Sequence, residues 1–586
     1  MQPIPIGVQN FKTLRTDGCY YVDKTLFIKT VFGQKGNKVL LITRPRRFGK
    51  TLTMTTFEAF LSLNKDKPDD ISQQQKLFSG TEILKEQYAD FCSEFMGKFP
   101  VLFITLKSVA GNDFVTAYKR FAAVFCDLAE KYSELLDSPK LSSRQKIQFS
   151  RLLDLDYLED PDNKDVLGNS LKNLIKFVKL HYGIKPVILI DDYDVPLHQA
   201  AVCGYYDEMA DVFCPFLSEA LKDADESFQK AVLTGCLRGC KESVFSGFNN
   251  LVVNTVFDAD PDFSKALGFT EDETSSMLEL YGLTAYQDQV KKNYDGYLFG
   301  GYGMYCPWDA VNFCEEAVAM KKHGLKVKFG NYWINTSGNE VIEEFMEFIT
   351  SDEIVKMQDL IDGKEISVSL NRELSYADLK RHEVADFWTL LIYTGYLTVC
   401  GQDYADFSEN YVVRIPNEEI RDCFRRRILN FYQNNPLVLT YKNKLVDACL
   451  RGDPKTLQNL TEELLMRYVS VRDIASRAPK ENFYHGFLNG IFADGRSVKD
   501  FRSNLASGDG YPDIVFRSLT GNVGVIIEIK YADSELKMVD ATNQALKQIE
   551  KKNYREILDV FGVNKIYAYG FCFCRKACVI KMKELE

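Results

Sequence analysis

The sequence predicts an α/β multidomain protein: a parallel sheet flanked by helices at the front, a helical segment and a hairpin-bearing module in the middle, and a second α/β domain at the end. Three observations lead there. Up to about residue 260, short apolar runs alternate with longer helical segments; between about 346 and 435 helices give way to a hairpin pattern; and strands return in the last hundred residues. At 586 residues the chain is too long for a single core, and three or four domains are expected.

The front strands are expected at Val39–Thr43, Val101–Leu106, Val187–Ile190 and Ala231–Thr234. The first runs straight into Arg44-Pro45-Arg46-Arg47-Phe48-Gly49-Lys50-Thr51 and then an amphipathic segment. This is how a phosphate-binding loop is built: backbone N–H groups and a helix N-terminus face the phosphates, Lys50 reaches the β/γ oxygens, and the Thr51 hydroxyl ligates Mg²⁺. Arg46, Arg47, Phe48 and Gly49 complete the candidate cradle. The usual pattern has glycine five residues before Gly49, where this chain carries Arg44 followed by Pro45.

The complementary half of such a site is a hydrophobic strand ending in acid, and Val187-Ile188-Leu189-Ile190-Asp191-Asp192 supplies it. Asp191 would hold Mg²⁺ through water. Asp192 stands where a water-activating carboxylate is expected, commonly Glu, and is one methylene shorter. The alternative is two acids capping a strand end in solvent. A third strand, Ala231-Val232-Leu233-Thr234-Gly235, is followed by Arg238, and Thr234 or Arg238 would sense the γ-phosphate.

From about 261 to 345 the pattern is helical, a lid entered at Pro261 and capped at Thr270-Glu271-Asp272-Glu273. Between about 346 and 435, helices end in Phe387–Leu391, and Tyr396–Val399 with Tyr411–Ile415 reads as a hairpin, so this stretch is expected to be winged-helix-like. Residues 436–586 then form a helical connector and the final α/β domain.

That domain holds a second cluster. Gly510-Tyr511-Pro512-Asp513-Ile514-Val515-Phe516 starts one strand, and Val525-Ile526-Ile527-Glu528-Ile529-Lys530 follows after a turn at Gly521-Asn522. Alternation puts Glu528 and Lys530 on one face and Ile527 and Ile529 on the other, and Asp513 meets Glu528 across the hairpin. Two acids and a lysine in that arrangement suit a metal-dependent phosphodiesterase, in which carboxylates hold one or two Mg²⁺, a bound water is acidified and Lys530 orients it. Gln548, on the following helix, and Glu481, opening an aromatic-rich helix, are candidate helpers. The alternative is a surface hairpin carrying a salt bridge.

Composition bounds these readings. Hydrophobic residues at 46% and charged residues at 26% describe an ordinary globular chain, and no apolar run approaches the ~20 residues of a membrane span. Met1-Gln2-Pro3-Ile4-Pro5 lacks the features of a signal peptide, so a cytoplasmic location is expected. Fifteen cysteines without Cys-x-x-Cys spacing and five scattered histidines support neither disulfides nor a zinc site. A net charge of −10 disfavours non-specific coating of nucleic acid, although a local basic groove is compatible with it.

Together these segments resemble a large, mostly bacterial family that joins an AAA-ATPase-like domain to a C-terminal PD-(D/E)XK nuclease-superfamily domain. The likeness spans nearly the whole chain. It rests on Tyr20-Tyr21-Val22-Asp23-Lys24-Thr25, the Arg-rich loop Arg44–Thr51, Leu189–Asp194, Ser246-Gly247-Phe248-Asn249-Asn250-Leu251, Tyr294-Asp295-Gly296-Tyr297 and Thr394-Gly395-Tyr396-Leu397, in that order. The resemblance implies a P-loop NTPase sheet at the front and a restriction-endonuclease-like domain at the end. It also implies ATP and Mg²⁺ at Lys50, Thr51 and Asp191, and metal chemistry at Asp513, Glu528 and Lys530 with Glu481 and Gln548 as helpers, Mn²⁺ being an alternative ion there. Two departures stand out: Asp192 replaces the family's Glu, and Asp509 and Tyr511 stand where basic residues often precede the nuclease Asp.

The functional expectation is an ATP-binding, ATP-hydrolysing protein controlling a metal-dependent nuclease that acts on DNA or RNA. Two alternatives stand beside it: a catalytically degenerate scaffold using the nuclease fold as a binding surface, and a ring-forming homo-oligomer that remodels a protein partner. The last requires an arginine from a neighbouring subunit.

Overall fold

The computed structural model describes residues 2–34, 36–222, 224–238, 251–333, 351–403, 410–434, 436–468, 480–492, 497–503, 510–559 and 561–585. Two compact units are present: Met1–Glu347 with Glu365–Cys423, and Phe348–Lys364 with Phe424–Glu586. Residues 246–250 of the Ser246–Leu251 motif, and Asp509, lie outside the described residues.

In the first unit, β1 (Val39–Thr43), β2 (Val101–Thr105), β3 (Val187–Asp191), β4 (Lys230–Gly235) and β5 (Leu251–Asn254) form one sheet in the order β2-β3-β4-β1-β5. Every pairing is parallel. Strands β1, β3 and β4 are buried along their whole length, which is why they read as unbroken apolar runs rather than as an alternation. Strand β5 is half-exposed and its apolar run, Leu251-Val252-Val253, is only three residues long, so the sequence pattern passes over it. The core beside the sheet gathers Phe27, Ile28, Leu40, Ile42, Phe57, Phe60 and Leu189.

The remainder of this unit is helical with two small sheets. Helix Glu271–Leu280 opens on the expected capping box: Thr270 Oγ1 accepts from the Glu273 amide at 3.3 Å, and Glu273 Oε2 accepts from the Thr270 amide at 2.8 Å. The stretch expected to be a purely helical lid also contains the hairpin β6 (Tyr297–Phe299) and β7 (Tyr302–Met304) before helix Pro307–Lys322. Farther on, β8 (Ile366–Ser369), β9 (Thr398–Asp403) and β10 (Asn410–Arg414) form an antiparallel sheet ordered β8-β10-β9, with helix Val384–Thr394 between β8 and β9 in the chain. The expected hairpin is the β9/β10 pair, with a bulge between Val412 and Val413; β8 adds a third strand.

The second unit holds a five-stranded sheet in chain order: β11 (Val498–Ser503), β12 (Ile514–Ser518), β13 (Val523–Tyr531), β14 (Lys565–Cys574) and β15 (Ala577–Leu585). Only β13 and β14 run parallel, joined through helix Met538–Lys551. Gly521, at φ 77°, makes the β12/β13 turn. Strand β13 is covered on both faces: Ile527 and Ile529 pack with Tyr484, Leu488 and Phe571, whereas Ile526 packs with Ile549 and Ala568. The alternative of a solvent-facing surface hairpin is thereby excluded. Among the described residues no helix is long and apolar enough to cross a membrane, and no disulfide joins the cysteines.

Candidate functional site

The C-terminal ends of β1, β3 and β4 meet at one crevice, the place where open parallel sheets hold ligands. After β1 the chain turns through Arg44–Gly49 into helix Lys50–Leu61. Gly49 caps that helix at φ 86° with open space where a Cβ would stand, so its left-handed backbone is the reason for glycine there. Arg47, at φ 70°, and Asp192, at φ 51°, hold the same unfavourable region without being glycine.

Lys50 is buried, and its Nζ donates to the carbonyls of Arg44 at 3.0 Å and Pro45 at 3.1 Å. Burial works against this cation; Cys236, Asp192, Asp194 and Asp191 outweigh it and hold the pKa above the ordinary lysine value. Asp191 is fully buried at the end of β3 and accepts two hydroxyl donors: Thr51 Oγ1 to Oδ2 at 2.7 Å and Thr234 Oγ1 to Oδ1 at 2.6 Å. Burial, then the charge of Asp192, raises its pKa, while Thr234, Thr51 and Lys50 pull it down. A hydroxyl and a carboxylate side by side are hard oxygen donors of the kind Mg²⁺ selects, so the residues fit that ion.

Lys50 and Thr51 border a cavity of about 730 Å³, lined also by Arg46, Arg47, Phe48 and Gly49 on the loop and by Asp192, Asp194, His198 and Cys236 opposite; the buried Asp191 is not among its lining residues. The Phe48 ring is fully buried and packs edge-on against Tyr297 at 4.9 Å and Phe299 at 5.0 Å, which anchors the loop to the β6/β7 hairpin. Arg47 lies over the Trp308 ring at 4.0 Å. Two expected γ-phosphate sensors are placed otherwise. Thr234 is buried and spends its hydroxyl on Asp191; Arg238 pairs with Glu373 at 3.4 Å, and neither is among the cavity-lining residues.

Arg44 answers the missing glycine. Its side chain is fully buried and donates to Asn254 Oδ1 at 2.8 Å and to the Phe263 carbonyl at 3.0 Å, with the guanidinium 5.2 Å from the Phe299 ring centroid. It is a strut between β1, β5 and the segment beyond, pointing away from the loop's phosphate side. Burial pushes its pKa down to about 10, and it stays charged at neutral pH.

Sequence reasoning passed over several residues here. Asp194, nearly buried, accepts from the amides of Cys236 at 2.8 Å and Leu237 at 3.0 Å and from the Tyr376 hydroxyl at 3.1 Å. A third acid in Asp191-Asp192-Tyr193-Asp194 was the available signal. Tyr376 comes from 182 residues away with no local mark. His198 stacks obliquely near Tyr376 at 5.2 Å, and burial, then Arg46, pushes its pKa down to about 4, leaving it neutral.

In the second unit, Asp513 directly precedes β12, and its Oδ2 accepts from the Ile529 amide at 2.7 Å. That bond sets its carboxylate against β13 between Glu528 and Lys530. Glu528, only 2% exposed, receives Lys530 Nζ at 3.0 Å on Oε1. Glu528 and Lys530 are thus paired, and Asp513 is tied to the backbone of the same strand at Ile529; carboxylates and a lysine are the side-chain types that suit a hard divalent ion. The Asp513 carbonyl accepts from His485 Nε2 at 3.0 Å, on helix Lys480–Phe492, a contact no sequence signal indicated. Glu481 lies on that helix, but its side chain is outside those described. Gln548 donates to Tyr554 Oη at 3.4 Å.

Residues 5–245 match the model of the family described as predicted AAA-ATPase, and residues 479–583 match that of the PD-(D/E)XK nuclease superfamily. The chain therefore joins an AAA-ATPase-like domain to a PD-(D/E)XK nuclease-superfamily domain. An uncharacterized protein of the vnfD 5′ region in Azotobacter chroococcum mcd 1 is 26% identical over 584 residues, spanning 98% of this chain and 96% of the relative. The structure of the Aeropyrum pernix Orc1 protein in complex with DNA aligns at 8% identity over 69% of this chain and 90% of its own, with a TM-score of 0.23.

Proposed function

We propose that the protein binds ATP with Mg²⁺ and hydrolyses it slowly, and that the nucleotide state controls a metal-dependent phosphodiesterase acting on DNA or RNA. The observation that carries the nucleotide half is the pair of hydroxyls from Thr51 and Thr234 on the two oxygens of Asp191, beside the cavity that Lys50 borders. Lys50 and the loop amides would hold the phosphates, Thr51 and Asp191 the ion, and Asp192 would orient the attacking water. The short Asp192 side chain on a strained backbone is the reason for slow turnover.

The second half is supported by Asp513, Glu528 and Lys530 together with the nuclease-superfamily match. The reaction adds water across a phosphodiester P–O bond, leaving a phosphate monoester and a hydroxyl. Asp513 and Glu528 would hold a divalent ion, which would supply acidified water and charge neutralisation, and Lys530, 3.0 Å from Glu528 Oε1, would orient that carboxylate. We read residues 261–345 as a lid and 346–435 as a winged-helix-like module whose movement couples nucleotide state to cutting, in a cytoplasmic protein.

Purified wild-type protein and Lys50→Ala, given labelled DNA and RNA with and without ATP and Mg²⁺ or Mn²⁺, test this reading. Metal-dependent cutting whose rate responds to ATP in the wild type alone supports it; cutting indifferent to ATP in both removes the control. A second reading, a non-cleaving scaffold, is favoured by Asp192, and it predicts ATP binding with intact oligonucleotides throughout.

A further inference from the structure

Tyr511 is 65% exposed, an unusual setting for so large an aromatic side chain two residues from Asp513. The segment that carries it is fixed on both sides. Gly510 lies so close to Tyr554 that an added Cβ would stand 2.8 Å from the Tyr554 hydroxyl. Pro512 is buried, and a proline restricts both its own backbone and that of the residue before it, which is Tyr511. Asp513 is held twice, by its carboxylate on the Ile529 amide and by its carbonyl under His485. The backbone beneath the exposed ring is thus constrained, which lowers the backbone ordering entropy that binding against it costs.

Its position limits what it can meet. Two residues of extended chain span at most about 7 Å, so the ring stands within one or two nucleotides of any phosphate held at Asp513 and Glu528. Across the sheet, Arg502, exposed on the edge strand β11, pairs in register with Val515, two residues beyond Asp513. A cation at the edge and a flat aromatic beside the acids are the two elements of a single-strand platform: charge follows the backbone, and the ring stacks on a base. Within a duplex each base is already stacked on both faces and unavailable to the ring.

We propose that Tyr511 stacks on an unpaired base next to the phosphate to be cut, so that the substrate is single-stranded or unwound nucleic acid. This rests on the nuclease reading above, and binding separates the two. Fluorescence anisotropy of a labelled single-stranded oligonucleotide and of the matching blunt duplex, in EDTA to prevent cutting, is measured with wild type, Tyr511→Ala and Tyr511→Phe, each checked for an unchanged melting temperature. The expected result is a loss of about 5- to 150-fold in single-strand affinity for Tyr511→Ala, the span of one base–aromatic stack, with affinity kept in Tyr511→Phe and weak duplex binding the same in all three. Equal single-strand affinity in wild type and Tyr511→Ala, equal losses on both substrates, or no single-strand binding by the wild type overturns the proposal. Tyr511-dependent binding in a protein that never cuts with Mg²⁺ or Mn²⁺ would remove the nuclease reading and leave the stacking role standing.

Discussion

Thr51 Oγ1 donates to Asp191 Oδ2 at 2.7 Å, linking residues 140 positions apart, and Thr234 fills the other oxygen of the same buried carboxylate. The first turn of helix Lys50–Leu61 and the ends of β3 and β4 are thereby tied into one polar cluster.

Removing one of those donors has a defined cost. Thr234→Val leaves Oδ1 of a fully buried carboxylate without its hydroxyl, and about 1–3 kcal/mol of stability is lost as desolvation that nothing offsets. Denaturant unfolding with an unchanged slope and a lower midpoint is the expected result. An unaltered midpoint contradicts the cluster.

Arg44 separates a phosphate-contact role from a structural one. Arg44→Gly, which restores the glycine of the usual loop, abandons the Asn254 side chain and the Phe263 carbonyl and opens a cavity beside Phe299. The expected loss is about 2–5 kcal/mol. Wild-type stability with tighter nucleotide binding, read by calorimetry, would instead make Arg44 an obstruction in the loop.

Asp309, on helix Pro307–Lys322, and Glu419 are both buried, and burial, joined at Glu419 by the charge of Asp309, raises both carboxyls, so the pair is expected to hold a proton at neutral pH. The nearby Arg47 charge and the Trp333 amide, 2.6 Å from Glu419 Oε1, pull the other way. A carboxyl whose folded pKa is raised binds more protons folded than unfolded. Stability is therefore greatest in acid and falls as pH climbs from the unfolded carboxylate range near about 4 through the pair's raised range, by about 1.4 kcal/mol for each pH unit in which the fold holds one extra proton. Glu419→Gln supplies a permanent donor, and the difference in melting temperature between mildly acidic and mildly alkaline buffer should shrink. An unchanged difference means that this pair carries no extra proton.

Much of this was legible in the sequence because burial on both faces leaves an unbroken apolar run. Strand β1 coincides with the expected Val39–Thr43, β3 extends the expected Val187–Ile190 by Asp191, and Lys50 and Thr51 open the helix after the loop that follows β1. What stayed illegible was short, half-exposed or distant. Strand β5 has no period to read, β8 is four residues long, and Tyr376 reaches Asp194 across 182 residues. The γ-phosphate sensor drawn from a strand followed by Arg238 illustrates the limit of local pattern. It could not register that Thr234 faces Asp191 or that Glu373 takes up the arginine. The same holds for Arg44, where composition marked a departure and only packing gave its reason.

In the proposed function two acid–lysine clusters act on phosphate in separate ways, one on a nucleotide and one on a chain to be cut. Its most direct test is a single-turnover cleavage assay on labelled single-stranded oligonucleotide with Mg²⁺ or Mn²⁺, run on wild type, Glu528→Gln and Lys530→Ala, alongside ATP binding by the same three proteins. Metal-dependent cutting by the wild type, none above background in either variant, and equal ATP affinity in all three are expected. Cutting that survives in both variants, or ATP binding lost with them, contradicts it.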